Sequence, residues 1–386
     1  MITAITADQL VTPHDRIASP VLLIENDRIL ELGTRSSLPI PSNTKPLDFP
    51  GAVLSAAFID LHIHGSAGYD IMEAKPDGLR KMASFLARHG VGSFLATTVT
   101  AEINTLVSAV ERIAEQIANW PSDSAAAVPF GIHLEGPCIS MARSGVHPHA
   151  YIVNPSLELL DRLHKAAAGY LRLITMAPEL PGALEVIREA RSRGVHVSIG
   201  HTDGQASDAA AAIEAGATHA THTFNAMRPL DHRKPGVLGK VLESEELSAE
   251  IIADGLHVDP VVVDLFLRCK GQSKAVLVTD AISAAGMPDG KYKLGSFEVT
   301  VQGDRCDWQG KLAGSVLTLD RAVRNMMQFS GLDLGDTVRL ASTNPADVIG
   351  ESSRGRLVQG ARADIVVLSP KGEVIKTFIG GMAATS

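Results

Sequence analysis

Eight short apolar runs, half of them ending in a polar residue, restrict what this chain can fold into more than any other feature. They are Ala57–His64, Ser93–Thr100, Val128–Leu134, Leu171–Ala177, Val195–His201, Thr218–Phe224, Ala249–Ala253 and Ala275–Thr279. The stretches between them carry helical spacing. Leu79, Met82, Ala83 and Leu86 fall at i, i+3, i+4 and i+7, and Gly90 stands where a helix stop belongs. Asp259-Pro260 opens another helix, with a capping carboxylate and proline at the first helical position. Strand and helix in alternation require parallel strands joined by crossover helices. Eight such units fit a (β/α)8 barrel of the TIM type, an α/β fold. An open doubly wound sheet is the rival, but no GxGxxG follows the first run.

The 386 residues exceed one ordinary domain, so a second, smaller unit is expected. Both ends read as β structure. Val21 to Ile24 and Arg28 to Leu32 flank the turn-prone Glu25-Asn26-Asp27, and Ile365 to Leu368 is another strand. Residues 38–50, rich in proline, read as a connection. Neither end can bury much alone, so the termini are expected to join into a small β-sandwich. The expected division is 1–54 with 353–386 for that unit and 55–352 for the barrel.

Net charge of -8 argues against a nucleic-acid surface, and 4% aromatic content disfavours base-stacking platforms. Three cysteines, Cys138, Cys269 and Cys306, have no CxxC spacing, which points to a reduced compartment without a thiolate cluster. The opening MITAITADQLVTPHDR lacks a basic segment followed by an apolar one, and no apolar run reaches a membrane span. A cytoplasmic protein with no membrane or nucleic-acid partner is expected.

In a barrel, side chains at the C-terminal strand ends converge on one mouth. The first strand ends in Asp60-Leu61-His62-Ile63-His64, and residues two apart share a face, so His62 and His64 can reach one ion. An isolated HxH is equally well two histidines at a half-exposed strand end. The third strand ends in His133-Leu134-Glu135, the fifth in Gly200-His201, the sixth in His219-Ala220-Thr221-His222. Each alone reads more simply as a solvated glutamate or a hydrogen-bonded structural histidine. Together they form a divalent-metal ligand set of the kind catalytic zinc sites use. His219 faces elsewhere by strand parity and reads as structural. Asp280, past the eighth strand, can accept a proton from water and pass it to a leaving group, or else cap a helix.

The ordered set HIHG, HLEGP, GHT, HTFNAM and VTDA resembles the amidohydrolase superfamily, and within it the N-acetylglucosamine-6-phosphate deacetylases. The narrower likeness rests on Gly145-Val146-His147-Pro148, on THTFNAMRPL with Arg233-Lys234-Pro235-Gly236, on ADGLHVD, and on Leu312-Ala313-Gly314-Ser315. The resemblance implies metal-dependent deacetylation of a phosphorylated amino sugar. Glu135, His201 and His222 would hold the primary ion, and Asp280 would serve as general base and then acid. His147 would polarise the acetamide carbonyl or meet a sugar hydroxyl, while Asn225, Ala226, Ala313 and Gly314 would line the sugar. Arg233 and His257 would hold the phosphate, with the arginine reaching a neighbouring subunit, hence a homodimer. His62 and His64 leave room for a second ion beside a bridging Glu135, so one or two ions per subunit are expected: Zn first, with Fe, Mn or Co also compatible.

Cyclic-amide hydrolases bridge two metals with a carboxylated lysine on the fourth strand, and Leu171–Ala177 contains none. A galactosamine-epimer deacetylase differs only in how one hydroxyl is read. A barrel that serves assembly rather than catalysis would have lost ligands or the aspartate, and all are present.

Overall fold

The structure is a computed structural model that describes residues 2–42, 44, 46–295 and 297–385. Eight parallel strands appear in the expected order: Phe58–Ile63, Val91–Thr98, Val128–Glu135, Leu171–Met176, His196–Ile199, His219–Ala220, Ser248–Ile251 and Ala275–Leu277. Each pairs in parallel with its neighbour. The ring closes beyond the last strand, where Asp280 N–H donates to His62 O at 2.9 Å and His64 N–H to Ala281 O at 2.8 Å. Closure therefore places the HxH histidines beside Asp280. Strand residues are buried almost throughout because helices cover the outside of the ring.

Helix Pro76–Arg88 buries Leu79, Met82, Ala83 and Leu86, and Gly90 follows its C-cap at φ 80°. Helix Pro260–Lys270 starts as expected, with the Asp259 carboxylate accepting from Val261 N–H. Asp320 opens helix Leu319–Ser330 and accepts from His89 Nδ1 at 3.0 Å and Arg324 at 2.8 Å. Burial pushes its carboxyl up, but His89, Thr318 and Arg324 together bring it down to about 2. The folded value lies below the ordinary 3.8, so the stabilisation is complete above that value and vanishes as pH falls through about 2. Asp320→Asn should remove about 2 kcal/mol at neutral pH and flatten the stability curve between pH ~4 and ~2. Urea melts across that window check it.

The terminal segments do meet. One hydrogen-bonded path joins Met382–Ala383, Val374–Ile379, Ile365–Leu368, Leu47–Ala56, Ile2–Val11, Pro20–Glu25 and Arg28–Thr34, with Arg16–Ala18 on the side of Ile2–Val11. Ile5, Leu22, Leu54, Ile365 and Phe378 share its core. The hairpin turns at Asn26, with φ 55°. The expected connection over 38–50 is shorter than anticipated, because Leu47–Ala56 is a strand; residues 43 and 45 lie outside the described set. Pro50 is tolerated there because the ladder skips it: Ala7 pairs with Phe49 and Gln9 with Val53, leaving Pro50, Gly51 and Ala52 in a bulge opposite Asp8. A four-stranded excursion, Gly290–Leu294, Phe297–Gln302, Arg305–Trp308 and Lys311–Leu312, follows the eighth strand. No helix among the described residues is long and apolar enough to cross a membrane.

Candidate metal centre

Residues just past the strand ends turn into the barrel mouth through left-handed backbone: His201 at φ 46°, His222 at 26°, Ala226 at 50° and Asp280 at 50°. Such conformations cost non-glycine residues roughly 1–3 kcal/mol each and persist where surrounding structure enforces them. Here backbone bonds do so, including Thr202 N–H to Ala226 O and Ser315 N–H to Asp280 O, at 3.0 and 2.9 Å.

Glu135 is the hub. Its Oε1 lies 3.0 Å from His222 Nε2, 3.1 Å from His201 Nε2 and 3.4 Å from His62 Nε2. Its Oε2 lies 3.2 Å from His64 Nε2 and 3.3 Å from His147 Nε2. Asp280 Oδ1 faces His64 Nε2 at 3.1 Å and His62 Nε2 at 3.6 Å. Two groups have ligand atoms close enough to share an ion, His62–His64–Asp280 and Glu135–His147–His201. His64, Glu135, His147, His201, His222, Asn225, Ala226, His257, Asp280, Ala313 and Gly314 line one cavity of about 140 Å³, with His62 fully buried nearby. Arg233 does not line it and sits on an exposed turn, its N–H on Asp231. His257 is pinned by Asp254 at 2.6 Å.

The donor chemistry fits a cation. His201 Nδ1 lies 2.9 Å from the Arg143 carbonyl, which only accepts, so Nδ1 carries the proton. Burial lowers the pKa of the ring to about 4. Its Nε2 is then a bare lone pair facing the Glu135 carboxylate, an arrangement that repels unless a positive ion sits between. Burial alone would raise the Glu135 carboxyl, yet His62 first, with His147 and His222, holds it well below the usual range. Burial works against the charge on Asp280 too, and His62 and His64 bring its pKa below the ordinary value. Conversely, burial disfavours a proton on His62, but Glu135, Asp280 and Glu250 outweigh it and hold its pKa well up.

Sequence reasoning missed Glu250, fully buried in the seventh strand. Its carboxylate meets His62 Nδ1 at 3.0 Å and His219 Nε2 at 3.1 Å, and accepts the His222 N–H at 3.0 Å. It thus orients the His62 ring and fixes the backbone at His222. A carboxylate inside the apolar run Leu247–Ala253 was the available signal, since burial of an unpaired charge is prohibitive. His219, buried against Glu250, points away from Glu135's cluster. Arg143 was also missed: its Nε bonds Asp203 at 2.8 Å while its carbonyl holds His201.

The Amidohydrolase family model matches residues 53–383. An N-acetylglucosamine-6-phosphate deacetylase of Bacillus subtilis (strain 168) is 36% identical over 378 residues, 97% of this chain and 95% of its own. An N-acetylgalactosamine-6-phosphate deacetylase of Escherichia coli O157:H7 is 38% identical over 349 residues, 90% of this chain and 91% of its own. The crystal structure of N-acetyl-D-glucosamine-6-phosphate deacetylase from Mycobacterium smegmatis superposes with TM-score 0.92 at 32% identity, covering 99% of this chain and all of that one. The family model covers most of the chain, and relatives alike in sequence and in shape span nearly all of it; this chain belongs to the amidohydrolase family.

Proposed function

We propose that the protein hydrolyses the acetamide of N-acetyl-D-glucosamine 6-phosphate to D-glucosamine 6-phosphate and acetate. The observation that carries this reading is the meeting of Glu135, His201 and His222 within 3.1 Å contacts, beside Asp280 at the same cavity. These three residues would hold the primary divalent ion, zinc by preference, and His62, His64 and Asp280 beside Glu135 would hold a second. A divalent ion in this place acidifies water and polarises the amide carbonyl.

The remaining work falls to side chains. Asp280 is anionic and accepts a proton from the attacking water, then delivers it to the amine nitrogen as the C–N bond breaks. His147 donates to the developing oxyanion. Asn225 Nδ2, buried without a partner among the described residues, is an open donor for the sugar, flanked by Ala226, Ala313 and Gly314. His257 supplies one phosphate contact, and Arg233 of a second copy supplies the other, which its exposure on one chain leaves it free to do. The enzyme is accordingly a homodimer, with its catalytic unit at 55–352 and a β unit from 1–54 and 353–386.

Acetate release decides the matter. Activity should vanish on chelation, return with Zn, Mn, Co or Fe, and favour the phosphorylated over the unphosphorylated sugar by at least about 10²-fold, the scale of a lost charged hydrogen-bonding pair. Faster turnover of N-acetylgalactosamine 6-phosphate would transfer the assignment to the epimer, the substrate in the name of the Escherichia coli relative at 38% identity. Metal-independent acetate release would remove the reading altogether.

A further inference from the structure

Glu135, His147 and His201 form a group able to bind an ion, so by distance alone His147 is a candidate ligand. Its hydrogen bonds assign it otherwise. The Thr100 backbone N–H donates to His147 Nδ1 at 3.2 Å, and an N–H cannot accept. Nδ1 therefore bears no proton, and the Thr100 hydroxyl, 2.7 Å from the same nitrogen, must donate as well. Nε2 is then the protonated nitrogen of the neutral ring, and it faces Glu135 Oε2 at 3.3 Å. His201 has the opposite arrangement, with Nδ1 donating to the Arg143 carbonyl and Nε2 left bare. Two imidazoles stacked edge to face at 4.7 Å thus present opposite chemistry to one cavity.

We propose that Thr100, just beyond the second barrel strand, is the positioning residue that fixes His147 as an Nε2–H donor toward the substrate and bars it from the ion. The surroundings are built for this contact. Gly136 directly follows Glu135, and a Cβ there would lie 2.2 Å from Thr100 Oγ1. Any other residue at 136 would displace the hydroxyl from His147. Gly136 also has φ 77°, which side chains rarely adopt, so the turn after Glu135 and the room for the threonine hydroxyl are one feature. Thr100 and His147 are both buried, so no water competes for Nδ1.

The part of this proposal that concerns substrate rests on the deacetylase reading; the tautomer does not. Long-range ¹H–¹⁵N correlation on histidine-labelled, metal-loaded protein should show His147 protonated at Nε2 and bare at Nδ1, with no line shift on exchanging zinc for cadmium. Thr100→Val keeps the backbone donor and removes the hydroxyl. It should lower kcat about tenfold, the scale of one hydrogen bond, with KM and metal content unchanged. Thr100→Ser should restore the rate. A proton on His147 Nδ1, direct metal coupling to that ring, or metal loss from Thr100→Val in step with activity would overturn the proposal. A protein that shows the tautomer but releases no acetate would instead overturn the substrate reading alone.

Discussion

Asp280→Asn is expected to bind the phosphorylated sugar yet turn it over at least about 10²-fold more slowly, with the ion at Glu135, His201 and His222 retained. The substitution is a clean one because the backbone, not the carboxylate, fixes the position. Asp280 N–H is held by His62 O at 2.9 Å, and its carbonyl by Ser315 N–H at 2.9 Å. An asparagine amide fills the same space 3.1 Å from His64 Nε2 but cannot take up a proton. Water would then attack without a base, and the amine would leave unprotonated, although an amide nitrogen is a poor leaving group. Steady-state kinetics with metal analysis on the same sample read both quantities. A variant with unaltered kcat would take Asp280 out of the mechanism.

Glu135→Gln should be more severe, leaving acetate release at background and weakening metal binding by at least about 10²-fold, beyond what loss of a ligand's supporting partner costs. The reason lies in geometry and charge together. Both carboxylate oxygens are engaged, one by three histidines and the other by two, all within 3.0–3.4 Å. An amide offers only one acceptor and sets an NH2 against imidazole nitrogens. It also deletes the charge that favours a cation in a site from which burial excludes solvent. Dialysis against graded chelator followed by metal analysis measures the affinity; a variant that keeps its ion through the wild-type range would contradict the hub role.

The barrel was legible because its strands are apolar where helices cover them and several give way to polar residues where they open. Boundaries were read too long at the fifth and sixth strands, where Val195–His201 and Thr218–Phe224 shrink to His196–Ile199 and His219–Ala220. The cause is the site itself: His201, His222 and Phe224 leave the ladder in left-handed backbone, which no propensity anticipates for those residues. The residues that meet around Glu135 could be picked out from their places at strand ends. Glu250, Thr100 and Arg143 could not be assigned roles, since each acts through a partner 188, 47 or 58 residues away. Strand Leu47–Ala56 and the excursion beginning at Gly290 were missed for a related reason. Proline hid the first, and the second is local antiparallel pairing with no helix to mark it.

Strand Leu47–Ala56 is flanked by Ile2–Val11 on one side and by Ile365–Leu368 on the other. As the polypeptide leaves the ribosome, its first neighbour is ready at once, whereas its second follows only after every barrel strand. Throughout synthesis that edge stays bare, directly upstream of the segment that starts the barrel, and an unpaired strand edge invites pairing with other chains. The native ladder can be sealed only once Ile365–Leu368 has been made, so deleting that strand would expose the N-terminal half to aggregation rather than merely trim a surface segment.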